Sequence, residues 1–175
     1  MKVKKIICFG FGQVAKSFIK KLKNDGVSLQ LTTTSREESK KKKFENINYE
    51  SFQFTEKILD KNFISRLEEA DHVLISIAPI NGCDIVMKNF QNYFKSKKIK
   101  WITYLSATSV YGNHNGKWVD ENSETKPTFS NGIERLKVEE EWMELANKFD
   151  LPFQIFRLSG IYSNQYNILT RLKLG

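Results

Sequence analysis

With three prolines, two cysteines and two histidines in 175 residues, the chain has few turn-locking, redox-active or metal-ligating groups. Two cysteines, Cys8 within an apolar run and Cys83 near a helix start, do not make a disulfide framework, and both read as small core hydrophobes. His72 and His114 are isolated, so no cluster at metal-ligand spacing arises and no metal is expected. No apolar run reaches the roughly 20 residues of a membrane span. The N-terminus lacks the apolar core of a signal peptide, and the expected location is the cytoplasm. No repeat or low-complexity linker divides the chain, so residues 1–175 read as one domain.

Negative charge is also in short supply: 28 Lys and Arg face 20 Asp and Glu, a net charge of +8. Such a balance invites a nucleic-acid reading, but the lysines are scattered instead of gathered with aromatics on one element, so nucleic acid is not the expected partner. The one block, Lys40 to Lys43, reads as a solvated helix end or loop.

What the sequence does have is concentrated at its start. Val3, Ile6, Ile7, Cys8 and Phe9 form a short β-type run that Gly10-Phe11-Gly12 breaks just before a helix with Val14, Ala15, Phe18, Ile19 and Leu22 on one face. In the pattern Gly10-x-Gly12-x-x-Ala15, Gly10 permits a tight turn and Gly12 lets a diphosphate approach bare backbone. A small residue at 15 lets helix and strand pack closely. The helix then offers its free N–H groups and positive end to the phosphates. A dinucleotide site involving Gly10, Gly12, Gln13 and Val14 is the expectation.

Further along, strands are expected at Val27 to Thr34, Ile47 to Phe54, Asp71 to Ala78, Lys100 to Leu105 and Pro152 to Leu158. Helices are expected over Lys57 to Glu69 with Ile58 inward, Gly82 to Phe94, and Ser130 to Phe149 with Ile133, Leu136, Met143, Ala146 and Phe149 inward. Between them, Ser106 to Glu121 forms a loop anchored by Trp118, and a short helical pattern runs through the tail from Ser159. This alternation predicts an α/β fold: a Rossmann-type doubly wound parallel sheet of about six strands with helices on both faces, a three-layer sandwich. Ligands then bind at the carboxyl ends of the strands, where Gly10, Gly12, Arg36, Ser76, Ala78, Ser106 and Thr108 all fall.

The end of the second strand bears on cofactor choice. It carries Thr33, Thr34, Ser35 and Arg36, where an acidic residue would accept hydrogen bonds from the ribose of NAD. A guanidinium with hydroxyl neighbours suits the 2′-phosphate of NADP, so NADP is preferred over NAD. In the alternative, Arg36 is only an exposed residue in the first turn of a following helix.

The order of Gly10-x-Gly12-x-x-Ala15, Thr34-Ser35-Arg36, LSATSVYG (Leu105 to Gly112), WVDE (Trp118 to Glu121), a helix with Glu139 and FRLSGIY (Phe156 to Tyr162) resembles the short-chain dehydrogenase/reductase superfamily. More narrowly, it resembles the extended and atypical branch that includes NAD(P)-dependent nucleoside-diphosphate-sugar epimerases and dehydratases. The resemblance implies a dinucleotide cofactor, hydride transfer with a carbonyl or sugar-nucleotide substrate, and pairing of two copies through the helices at Gly82 to Phe94 and Ser130 to Phe149.

Departures from that family matter as much. Its members use a Tyr-x-x-x-Lys pair, with a Ser or Thr four positions before the Tyr of the Val-Tyr-Gly motif. Here these positions fall on Asn131, Arg135 and Ala107, so both proton-handling groups are missing. Arg135 stays protonated and can bind the cofactor but not shuttle a proton. Asn131, with Glu134 three residues on, also fits a helix cap and its reciprocal partner. The substitutes for catalysis are Thr108 and Tyr111, with Ser106 beside them. Family members carry a C-terminal lobe over the substrate, and with the chain ending at Gly175 that lobe is expected to be absent or truncated. Without catalysis, the alternative function is a non-catalytic NADP(H) sensor or interaction module.

Overall fold

A computed structural model of the chain describes residues 3–95, 99–163, 167 and 172. The elements in order are β1 (Lys4–Phe9), α1 (Gln13–Asn24), β2 (Leu29–Ser35), β3 (Lys40–Phe44), β4 (Ile47–Gln53), α2 (Phe63–Glu68), β5 (His72–Ile75), α3 (Ile85–Phe94), β6 (Trp101–Ala107), a 3-10 turn (Thr108–Tyr111), α4 (Ser130–Phe149) and β7 (Phe153–Leu158). They form one seven-stranded sheet in the order β3-β4-β2-β1-β5-β6-β7. Most of the helical pattern expected in the tail lies outside the described residues.

The predicted α/β architecture is present, with one strand more than expected. The extra strand is the lysine block, which is neither a helix end nor a loop: β3 runs antiparallel to β4, with Lys40 opposite Ser51 and Phe44 opposite Ile47. Apolar anchoring at its end accounts for this. Phe44 and Tyr49 place their rings 5.3 and 5.2 Å from that of Phe11. Glu37 pairs with both Lys40 and Lys42, at 3.0 and 2.9 Å. The chain after Arg36 thus turns into a hairpin, and no helix follows β2.

Every other strand pair is parallel, including β1 with β2 on one side and with β5 on the other. Each face of the sheet has its own core. Ile6, Cys8 and Leu31 pack with Ala15 and Ile19 of α1. On the opposite face, Phe9, Val73, Ile75 and Tyr104 pack with Phe63 of α2, Phe90 and Phe94 of α3 and Trp142 of α4. Phe9 is the hub of that second core, with the rings of Phe63 and Phe90 at 5.4 and 5.2 Å. Burial pushes the Cys8 thiol up to about 12, so it stays protonated and packs as an apolar group, while Cys83 is only half-buried.

Two expected helices differ from their patterns. α2 is half the predicted length because Thr55 Oγ1 accepts the N–H groups of Lys57 and Ile58, and Asp60 Oδ1 accepts that of Asn62. Such side-chain bonds hold the backbone in turns that compete with helix, and they leave Ile58 exposed. α4 has its predicted ends, and Ala146 and Phe149 face inward as expected, but Ile133 and Met143 are exposed while Val138, Glu139, Trp142 and Leu145 are buried. The helix also starts one residue before Asn131, with Phe129 at the cap position, so Asn131 caps nothing. Close approach fixes its placement, since a Cβ on Gly132 would lie 2.6 Å from the carbonyl oxygen of Ser109.

Among the described residues, no helix is long and apolar enough to cross a membrane.

Candidate functional site

β1 sits where the chain's winding reverses, with β2 and β5 as neighbours, and a crevice opens at the carboxyl ends of these strands. The cleft there has a volume of about 990 Å³. It is lined at its centre by Gly10, Gly12, Gln13 and Val14, on one side by Thr34, Ser35 and Arg36, and on the other by Ser76, Ala78, Ser106 and Arg135. All eleven residues singled out for cofactor binding therefore face one space.

Hydrogen bonds hold the glycine turn in shape. The Gly10 N–H donates to Thr34 Oγ1 at 3.1 Å, and Ser76 Oγ donates to the carbonyls of Phe9 and Gly10 at 3.0 and 3.1 Å. Thr34 and Ser76 thus position the backbone. Gly10 has φ +80, and a Cβ there would come within 2.9 Å of Ser76 Oγ, so the turn requires glycine twice over.

Gly12 has a different reason to lack a side chain. Nothing lies within 4 Å of where its Cβ would be, so the space in front of it is open. It stands at the N-cap of α1 with no side-chain cap, and the first turn of the helix carries no acidic residue. The first N–H groups of α1 therefore face the opening without a competing anion. A diphosphate fits this cradle.

Arg36 is exposed at the rim, and its backbone carbonyl accepts from Gln53 Nε2 at 3.2 Å. Its neighbour Glu37 does not neutralise it, because Lys42 and Lys40 engage that carboxylate and hold its pKa down at about 2. At the other end, Arg135 Nη1 donates to the Leu105 carbonyl at 3.3 Å. Beside it, Ser106 is 3% exposed with a hydroxyl that has no partner among the described residues.

Thr108 and Tyr111 lie elsewhere. They line a second groove of about 830 Å³ between the 3-10 turn, α4 and β7. There the Arg157 guanidinium sits over the Tyr111 ring, 4.9 Å from its centre. Arg157 is in turn gripped by the buried Glu139, with Nε and Nη2 at 3.1 and 2.8 Å from Oε2. Tyr111 is buried as a packing residue beneath its loop. Trp118, expected to anchor that loop, is instead fully exposed. The loop is held by the glycine contact to α4 and by His114 Nε2, which lies 3.0 Å from the Glu124 carbonyl.

Sequence reasoning missed Glu56, just past β4, and the apolar walls at Ile77, Ile80, Ile85, Leu158 and Ile161. Glu56 follows the predicted end of that strand, so the strand-end rule that found Arg36 also pointed to it.

No known family profile matches the chain, and no curated protein sequence does. Solved structures do. A conserved protein of unknown function from Silicibacter pomeroyi is 28% identical, with a TM-score of 0.76 over 97% of this chain and 57% of that one. UDP-N-acetylglucosamine 4-epimerase from Bacillus cereus is 19% identical, with a TM-score of 0.72 over 97% of this chain and 66% of that one. UDP-glucuronic acid 4-epimerase from the same organism, solved with NAD, is 18% identical, with a TM-score of 0.70 over 90% of this chain and 57% of that one. The chain spans about 57 to 66% of the length of these three proteins. In class, it is a doubly wound α/β protein of the Rossmann type. In particular, it shares its fold with nucleotide-sugar epimerases.

Proposed function

We propose that the chain is an NAD(P)-binding protein of the short-chain dehydrogenase/reductase superfamily, related to the nucleoside-diphosphate-sugar epimerases and dehydratases, and that it takes NADP(H) in preference to NAD(H). The observation that carries this reading is the gathering of Gly10, Gly12, the uncapped start of α1 and Arg36 around one cleft. In this reading Gly12, Gln13 and Val14 hold the diphosphate. Ser35 and Arg36 hold the 2′-phosphate, with the guanidinium fork matching its oxygens. Ser76, Ala78 and Ser106 flank the nicotinamide half. The dinucleotide itself supplies hydride transfer to or from a carbonyl or carbinol carbon. Support also comes from the epimerase structures above, some of them solved with NAD.

A second reading, a non-catalytic NADP(H) sensor, is favoured by the charge inventory of the cleft. Its charged lining residues are Arg36, Glu56 and Arg135, and no tyrosine, lysine or histidine lines it among the described residues. Thr108 and Tyr111 remain the proposed proton partners for the enzymatic reading, which requires one of them to reach the substrate from the adjoining groove.

The deciding experiment is a titration with NADPH and NADH followed by tryptophan fluorescence, then nicotinamide absorbance with carbonyl and sugar-nucleotide substrates. Binding with NADPH tighter than NADH is expected. Turnover selects the enzyme, and binding without turnover selects the sensor. Absence of binding to either nucleotide rejects both.

A further inference from the structure

The cleft holds two arginines, on opposite sides. Arg36 follows β2, while Arg135 of α4 bonds to Leu105 of β6, and β1 and β5 lie between those strands. Three strand spacings, roughly 14 Å, separate β2 from β6. The diphosphate cradle at the end of β1 lies on the Arg36 side of that span. Arg135 therefore stands at the nicotinamide end, where a dinucleotide carries no anionic group and, when oxidised, bears a positive ring. A fixed cation in that position is unfavourable unless something negative joins it.

The one carboxylate lining the cleft among the described residues, Glu56, follows β4 on the far side from β6. Among the described residues no carboxylate pairs with Arg135, which donates to the Leu105 carbonyl. The nearby acids are already engaged: Glu139 grips Arg157, and Asp84 accepts from Trp142 and from the first turn of α3. One hydroxyl close by is buried without a partner, that of Ser106, a lining residue of the cleft. Buried donors without partners cost stability unless a water or ligand satisfies them.

Resting on the dinucleotide reading above, we infer that Arg135 and Ser106 form a carboxylate receptor, so that the substrate or effector of this cleft is a small oxo or hydroxy acid. The guanidinium fork takes both carboxylate oxygens, the Ser106 hydroxyl donates a further bond, and Ile77, Ile80 and Leu158 cover the apolar part of the ligand. One guanidinium in apolar walls suits a planar monoanion better than a phosphoryl dianion, which draws several cations. A lysine at 135 would offer a point charge without the fork.

The test is calorimetric titration of the whole chain with pyruvate, with acetone as its uncharged counterpart and with inorganic phosphate, each in the absence of NADPH and at saturating NADPH. Wild type is compared with R135M, R135K and S106A, with circular dichroism confirming folded variants. Pyruvate should bind saturably and acetone should not. R135M should weaken pyruvate about 10- to 100-fold, the loss expected for hydrogen bonds to a charged group. R135K should fall between, S106A should lose several-fold, and any loss of NADPH affinity in R135M should be much smaller than the loss for pyruvate.

Equal binding of acetone and pyruvate, no binding of pyruvate, or pyruvate binding indifferent to R135M overturns the inference. So does a loss of NADPH affinity in R135M as large as the loss for pyruvate, since Arg135 would then hold the cofactor. Phosphate binding more tightly than pyruvate at Arg135 also overturns the carboxylate assignment. Failure of wild type to bind NADPH, with pyruvate still captured through Arg135, removes the dinucleotide reading and leaves the receptor standing.

Discussion

The indole N–H of Trp142 donates to Asp84 Oδ2 over 2.8 Å, joining α4 to the start of α3 through two residues that are 0% and 5% exposed. Asp84 Oδ1 meanwhile accepts the N–H groups of Val86 and Met87 at 2.7 and 3.0 Å. One carboxylate thus caps a helix and ties it to its neighbour. Burial pushes its pKa up, and the three donors pull it back.

Asp84→Ala should therefore lose about 2–4 kcal/mol, combining a lost helix cap with an indole N–H left buried and unpaired. Urea denaturation measures this. A cost below about 0.5 kcal/mol, the range of ordinary surface substitutions, would mean that the two helices are held by packing alone.

The two glycines of the opening turn should separate fold from binding. Gly10→Ala meets both a left-handed backbone and Ser76 Oγ, so its melting temperature should drop. Gly12→Ala meets open space and should melt near wild type while NADPH affinity falls at least tenfold, because its methyl occupies room reserved for phosphate. The reverse pattern would show that the cradle is not where the diphosphate goes.

Arg36→Ala should weaken NADPH by roughly 10- to 100-fold, the value of hydrogen bonds to a charged group, and leave NADH nearly untouched. Equal losses for the two nucleotides would remove its role in selection. Fluorescence titration reads both.

The Glu139–Arg157 pair lends itself to a double-mutant cycle. Arg157→Met leaves Glu139, 2% exposed, without its counter-charge and should cost about 3 kcal/mol. Adding Glu139→Leu should recover most of that loss, since a buried pair is often replaceable by apolar groups of similar size. Simple addition of the two single losses would instead mark the two side chains as energetically uncoupled.

His72 predicts how stability responds to mild acid. Burial lowers its pKa in the folded chain, opposed by Asp71 and reinforced by Lys4 and Lys100. Below its unfolded value of about 6.5 the unfolded chain takes up the proton first. Stability is therefore full above that pH and declines as pH falls through the folded pKa. Melting temperatures from pH 7 to pH 5 should show this decline, and His72→Phe should flatten it. An unchanged slope in the variant would assign the decline to other groups.

The fold and the cleft at the strand ends were largely legible because local pattern and global topology agree there. Strand followed by Gly10-x-Gly12 and an amphipathic helix has one common structural solution, and strand ends locate ligand contacts regardless of side chain. What escaped was decided by partners distant in sequence. Four lysines in β3 resemble solvated loop until Phe44 is seen against Phe11, 33 positions away. The inward face of α4 was partly misread because its buried stripe contains Glu139, whose burial is possible only through Arg157, and because exposed Ile133 and Met143 mimic a core pattern. Thr108 and Tyr111 sit on the motif that suggested them, but neighbourhood in sequence did not bring them into the cleft, since the 3-10 turn directs them to another groove.

The lysines of β3 have a further effect on how the sheet can grow. Four ammonium groups along one border, set against the single carboxylate of Glu37, repel an approaching second copy of the same strand, so lateral accretion from that side is self-limiting. At the opposite border, β7 pairs only with β6 among the described strands and carries the half-exposed Phe156 with a single charge, Arg157, that is already spoken for. Any added strand, from this chain or another, is thereby steered to the β7 margin, and raising ionic strength would erode that one-sidedness by screening the lysine border.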